Sequence, residues 1–225
     1  MHNMPFSKSF CSPICHLSGG HGLLSSSNPG SSSNTGLPSS SHPGLPSSSN
    51  PGLPQLVVAG NLISTFTEIS SQNTQNKIET GGLLFGQFVG NRCIVDKLVI
   101  PEQTGRADSW TATDEAEIGT YHALNPWVKL VGTIHTHPGF TTRPSSVDLH
   151  QQFEIQCEQP AAIGIIVAPE RNESPSYTIT PFGMTELREC TRKDFHPHRS
   201  FRSLYTFAAH VFFDSNLAVT VVDQR

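Results

Sequence analysis

Leu62, Ile63, Phe66 and Ile69 recur at helical spacing between Asn61 and Asn76, which predicts a helix with one buried face. The short run Leu56-Val57-Val58 before it reads as a strand. Residues 80–89 and 92–100 read as a hairpin, with Gly90-Asn91 as its two-residue turn. Residues 101–111 read as loop. Thr113 to Leu124 is predicted helical, with Thr113 as N-cap and acids in the first turn. Trp127 to Thr136 is a predicted strand, Ser145 to Glu158 a helix, and Ala161 to Ala168 a buried strand. A second hairpin is expected over 176–188, turning at Pro181-Phe182-Gly183. Residues 189–203 look irregular, and two strands near 205–213 and 217–223 end the chain. This order predicts a mixed α/β domain, a curved sheet flanked by helices, with polar residues on the loops. Trp127 is expected in the core and Trp110 partly exposed.

The pattern is missing from the first 54 residues. From Ser25 to Pro54 the chain repeats SSSNPG, SSSNTGLP, SSSHPGLP and SSSNPGLP, a period near eight. Such a composition cannot offset the entropy of ordering, so 1–54 reads as a disordered tail or tether. Cys11, Cys15, His16 and His21 match no common zinc spacing. The tail has one charged residue, Lys8. Residues 55–225 therefore hold all 18 acids and 13 of the 14 bases, a net charge of −5. A body of this length buries a real core.

Acidity argues against nucleic acid as a partner. No apolar run of about 18 residues exists, which predicts no membrane insertion. The N-terminus makes a poor signal peptide. Five scattered cysteines do not form a disulfide framework, so a reducing, non-secreted setting is expected. The eleven histidines are the unusual count.

The sharpest local pattern is His135-Thr136-His137-Pro138 followed by Ser145-Ser146-Val147-Asp148. Strand residues i and i+2 face one side, so His135 and His137 can reach one metal together. Pro138 ends the strand. Ser145 stands at a helix start, and Asp148 sits in the first turn, placed to return toward the histidines. Two imidazoles and one carboxylate are the usual protein share of a catalytic zinc, with a position open for water. Glu79, at the mouth of the glycine-rich strand, is the candidate general base, and Ser145 a candidate donor to an oxyanion. Alone, His-x-His is more often two half-buried strand histidines, and SxxD an ordinary cap; the combination is far more specific.

A second set is Cys190, His196, His198 and His150. Two helical positions turn a side chain by about 200°, so His150 faces away from Asp148's metal. One Cys and three His make a closed tetrahedral set, suited to a structural zinc. A free cysteine with solvent histidines in a polar loop fits the spacing as well. His122 has no matching partner and reads as an ordinary histidine.

Glu79, His135-x-His137, seven residues and Ser145-x-x-Asp148 together resemble the JAMM (MPN+) metalloprotease motif. The resemblance implies an MPN domain. It implies a zinc isopeptidase in which His135, His137 and Asp148 bind zinc, Glu79 acts as base through a zinc-activated water, and Ser145 stabilises the oxyanion. The strings IETGGLLFG, IHTHP, SSVDLH and FHPH, with the Cys-x5-His-x-His set, are similar to the AMSH-type deubiquitinases over about 56–225. That resemblance makes His150, Cys190, His196 and His198 a structural zinc site, hence two zincs per chain. It implies polyubiquitin as substrate, in the open, extended linkage used in endosomal sorting. Insertions near 102–117 and 189–203 would grip the ubiquitin that supplies the lysine.

Two residues depart from the family. Gly81 replaces a usual Cys and is expected to loosen its strand; Arg143 replaces an aromatic over the cleft and is expected to weaken linkage preference. Longer relatives carry an N-terminal helical domain for endosomal sorting (ESCRT) components and a basic-Pro motif for an SH3 partner. Those docking regions are expected to be absent here. A cytoplasmic, endosome-associated location is what the family implies. The rivals are a catalytically silent MPN scaffold that binds ubiquitin or partner subunits, and an enzyme for another ubiquitin-like modifier. Silent domains usually lose the histidines, the Asp or the Glu, all present here, and the second zinc set argues against the other modifier.

Overall fold

The computed structural model describes residues 52–113, 124–139, 141–192 and 194–225. The tail expected over 1–54 lies outside them up to residue 51, as do 114–123 of the helix expected over 113–124, and His122.

Eleven strands, three α-helices and two 3₁₀ helices are formed by the described residues. β1 (Gln55–Ala59) leads to α1 (Leu62–Gln75), then the hairpin β2 (Gly81–Val89) and β3 (Arg92–Ile100). β4 (Gln103–Gly105) and β5 (Trp110–Ala112) pair with each other inside the stretch expected to be loop. β6 (Lys129–Thr136), α2 (Ser146–Glu158), β7 (Ile163–Val167) and β8 (Ser176–Ile179) follow. α3 (Pro181–Glu189), β9 (Tyr205–Phe207), β10 (Val211–Asp214) and β11 (Thr220–Asp223) complete the domain.

One mixed sheet has the order β10-β1-β3-β2-β6-β7-β8-β9, with β11 pairing β3 beyond the end of β1. β9 and β10 stand at opposite ends of that order, yet only residues 208–210 join them. An extended link of that length spans about 14 Å at most, so the sheet curls until its edges nearly meet. Ala208, in the link, is buried in the core, and His210 Nε2 lies 2.9 Å from the Ala161 carbonyl.

Strand alternation divides the core. Ile163, Ile165 and Val167 enter the cluster under α1, with Leu62 and Phe66. Ile166, between them, enters the cluster of Leu149, Tyr177, Ile179 and Leu187 under α2 and α3. A third cluster, Leu83, Phe85, Val99, Trp110 and Val128, lies beside β5.

Three expectations are corrected here. Residues 181–189 are a helix, not the second arm of a hairpin. Thr180 caps it, its hydroxyl accepting from Gly183 N at 2.9 Å, and Pro181 opens it. Gly183 is small because the helix lies on Leu204, whose carbonyl would be 2.1 Å from a Cβ there. The strand expected over 205–213 is two strands on different edges. The tryptophans exchange roles: Trp110 is 8% exposed and Trp127 is 62% exposed, because the strand begins at Lys129 and leaves Trp127 in the preceding turn.

Candidate active site and second histidine cluster

The C-terminal end of β6 carries His135 and His137, both buried. Thr136 between them is locked to the neighbouring strand: its N–H donates to Thr80 O at 2.9 Å, and its hydroxyl accepts from Thr80 N at 2.9 Å. The two imidazoles bring their Nε2 atoms to 3.0 Å. His137 Nδ1 lies 3.2 Å from the Thr141 carbonyl, so in the neutral ring this contact favours the Nδ1–H tautomer, which would leave Nε2 bare and free to ligate a metal.

Asp148 reaches the same point from α2. Ser145 caps that helix with both arms of a capping box. Its hydroxyl accepts from Asp148 N at 3.1 Å, and its own N–H donates to Asp148 Oδ2 at 2.6 Å. The cap therefore aims the carboxylate. Oδ1 stands 3.5 Å from His135 Nε2 and Oδ2 3.6 Å from His137 Nε2. Burial alone would raise this carboxyl, but the charges and hydrogen bonds of His135 and His137 hold it well below the usual range.

Glu79 is 4% exposed and sits 3.7 Å from His137 Nε2. Burial, then the charges of Asp148 and Asp108, push its carboxyl up to about 9. Glu79, His137 and Ser145 line one cleft of about 560 Å³, and His135 and Asp148 meet it through their contacts with His137. Ala107 and Asp108 line one wall, Phe195, Pro197 and Phe201 another, and Arg143 stands at the rim. The walls come from the two stretches expected as insertions, save 114–117 and 193, which lie outside the described residues. Asp108 was not singled out by sequence; a lone acid in a loop carries no signal until a fold points it at another carboxylate.

A zinc bound by nitrogen and oxygen at about 2.0–2.2 Å in tetrahedral geometry sets its ligands roughly 3.4 Å apart. The three ligand separations at the first site, 3.0, 3.5 and 3.6 Å, are near that edge. His135 Nδ1 is buried without a hydrogen-bond partner among the described residues. The residues fit a zinc.

The second cluster joins α2 to the 190–198 loop, and its His196 also lines the cleft. His150, Cys190, His196 and His198 each offer a donor atom, all within 4.8 Å of one another. Cys190 Sγ is 3.3 Å from His196 Nε2, and His196 Nδ1 is 2.6 Å from the Asp194 carbonyl, so the nitrogen facing the sulfur is again the bare one. His198 Nε2 is buried without a partner among the described residues. Burial and neighbouring His196 lower the His198 pKa, which keeps the ring in its ligating form. Four closed donors of this type suit a structural zinc. His196 N also donates to Ser146 Oγ at 3.0 Å, tying the loop to the helix that carries Ser145 and Asp148.

Among the described residues no helix is long and apolar enough to cross a membrane. Residues 64–189 match a family model described as prokaryotic homologs of the JAB domain. The chain is 34% identical over 177 residues to AMSH-like ubiquitin thioesterase 1 of Arabidopsis thaliana, covering 76% of this chain and 35% of that protein. It is 35% identical over 170 residues to STAM-binding protein of Rattus norvegicus, covering 76% and 40%. It is 31% identical over 170 residues to AMSH-like protease of Homo sapiens, covering 76% and 38%. The chain thus spans less than half the length of each relative.

Proposed function

Because this chain belongs to the JAB (JAMM) domain family, in its AMSH-type branch, we propose that it is a zinc-dependent isopeptidase that hydrolyses lysine-linked polyubiquitin. The observation that carries the reading is the convergence of His135, His137 and Asp148 at ligand spacing, with Glu79 3.7 Å from His137 at the floor of an open cleft. The relatives named ubiquitin thioesterase and protease support the substrate class.

His135, His137 and Asp148 would hold a zinc, which would supply a Lewis acid for the scissile carbonyl and for water. The chain's own residues do the rest. Glu79 takes a proton from the attacking water as its oxygen bonds to the carbonyl carbon. Ser145 uses its oxygen as the acceptor in the helix cap, so its hydrogen is free to donate to the developing oxyanion. Glu79 then passes its proton to the lysine nitrogen as the C–N bond breaks. The products are a ubiquitin carboxylate and a lysine ammonium, which takes up the second proton of the water. His150, Cys190, His196 and His198 hold a second, structural zinc. Held there, it would fasten the loop bearing Phe195 and Phe201 against α2, where the ubiquitin supplying the lysine would be gripped.

The open, extended linkage is the preferred substrate, and Arg143 relaxes that preference. The protein works in the cytoplasm, at endosomes when sorting components recruit it; the relative named STAM-binding protein supports such a partner.

Incubation with di-ubiquitins of each defined linkage, with and without a chelator, tests the reading. The expected result is chelator-sensitive cleavage led by the extended linkage. No cleavage of any linkage by zinc-loaded protein would leave the silent, ubiquitin-binding scaffold instead. In the same panel, Arg143→Phe is expected to widen the ratio of extended to compact cleavage by several-fold, a pocket contact being worth about 1–3 kcal/mol. An unchanged ratio would show that Arg143 does not set preference.

A further inference from the structure

Gly81 stands two residues after Glu79, at the start of β2. A Cβ there would fall 2.0, 2.1 and 2.3 Å from three ring carbons of Trp110. The indole therefore fills the space any side chain at 81 would need, and it is buried there. The strand that a glycine was expected to loosen is instead covered.

Trp110 lies on β5, whose partner β4 grips the same stretch of chain. The Gln103 side chain closes a ring on the Gly81 backbone: Oε1 accepts from Gly81 N at 2.7 Å, and Nε2 donates to Gly81 O at 2.9 Å. Glu79 N donates to Arg106 O at 2.7 Å. Gly105 presses so close that a Cβ on it would lie 2.2 Å from Glu79 O. The connection between the two short strands carries Asp108, which lines the cleft. The β4–β5 hairpin is thus a cap fastened directly onto the backbone of the candidate base and of Gly81.

We infer that Trp110, seated on Gly81, is a positioning residue that fixes the Glu79 carboxylate and the adjoining cleft wall. The inference rests on the hydrolytic reading above. A side chain at 81 lifts the indole, the hairpin follows, and the Glu79 backbone loses the surface that holds it. A misplacement of about 1 Å can cost on the order of 10²-fold in rate.

The test uses the full, zinc-loaded chain carrying Trp127→Phe, so that Trp110 is the sole tryptophan emitter. Gly81→Ala is expected to shift that emission to the red, keep bound zinc, and lower kcat on di-ubiquitin about tenfold or more, with a smaller change in KM. Because the two residues share one space, Gly81→Ala is expected to cost little further turnover once Trp110→Val is present. A folded Gly81→Ala protein with red-shifted emission and unchanged kcat would overturn the inference. So would an equal loss with and without Trp110. Should Gly81→Ala fail to fold, Trp110→Val alone adds no bulk and is expected to lower kcat; an unchanged kcat there overturns it equally. Inactivity of the parent chain on every linkage would overturn the hydrolytic reading and this inference with it, whereas an active parent with unaffected variants overturns the inference alone.

Discussion

Glu79→Gln is expected to lower turnover of di-ubiquitin by about 10²- to 10⁴-fold while leaving the fold and both zincs in place. The substitution keeps the volume of the side chain and the backbone bond to Arg106, and removes only the ability to carry a proton to and fro. The buried site makes the comparison clean. Without metal, burial and the charges of Asp148 and Asp108 push the Glu79 carboxyl up to about 9, so in the chelated protein it is neutral at pH 7 and an amide changes no charge, whereas the zinc-loaded reaction needs the ionised carboxylate that the amide cannot supply. The sign of the pH dependence follows. In the chelated protein the unfolded chain ionises Glu79 above its ordinary value of 4.5, whereas the folded chain holds the proton until about 9. The parent therefore loses stability across that window and the Gln variant does not. Thermal melts with chelator are expected to coincide near pH 4 and to separate in favour of Glu79→Gln by pH 8. Near-normal turnover in the variant, measured in single-turnover assays at matched zinc content, would remove Glu79 from the chemistry.

Cys190→Ala is expected to take stability rather than chemistry. Elemental analysis of the parent should give two zincs per chain, and of the variant one. Apparent binding free energies of structural zinc reach about 10–16 kcal/mol in small zinc-dependent folds, comparable with the whole stability of a domain. Loss of even several kcal/mol lowers the melting temperature of a domain this size by on the order of 10 °C. Residual activity at low temperature should keep its kcat better than its KM, because the loop from Cys190 to Phe201 forms a wall of the cleft and supplies no reacting group. A melt unmoved by Cys190→Ala would mean that this cluster holds nothing that folding depends on.

What could be read in the sequence was what short-range rules control. His135 and His137 share a face because a strand alternates, and Ser145 aims Asp148 because a capping box spans three residues. Both rules act within a few positions. The misread elements depended on partners far along the chain. Pro181-Phe182-Gly183 looks like a turn, and only Leu204 lying against Gly183 explains why the glycine sits in a helix. The stretch 103–112 looks like loop because each of its strands is three residues long. The exposure of the tryptophans was decided by Gly81 and by where β6 begins, neither visible as periodicity. Gln103 gave no signal at all, since a side chain that pairs with a strand backbone resembles any other glutamine until the fold is known.

The curling of the sheet bears on how the domain is made. β1 pairs with β10 and β3, and β3 with β11, so Leu56 waits for Val211 and Leu98 for Val221. A ribosome releases the early strands first and their partners last. Pairings this distant in sequence form slowly, and an unpaired apolar strand edge in the meantime invites aggregation. A nascent chain halted before Val211 already carries Glu79, His135, His137, Asp148 and the whole second histidine cluster, yet has an open β1 edge. Residues 211–225 supply none of the candidate site residues, although Val222 packs against the cluster that holds Trp110. They are the seam that closes the sheet, and a stop codon there is expected to be felt first as insolubility.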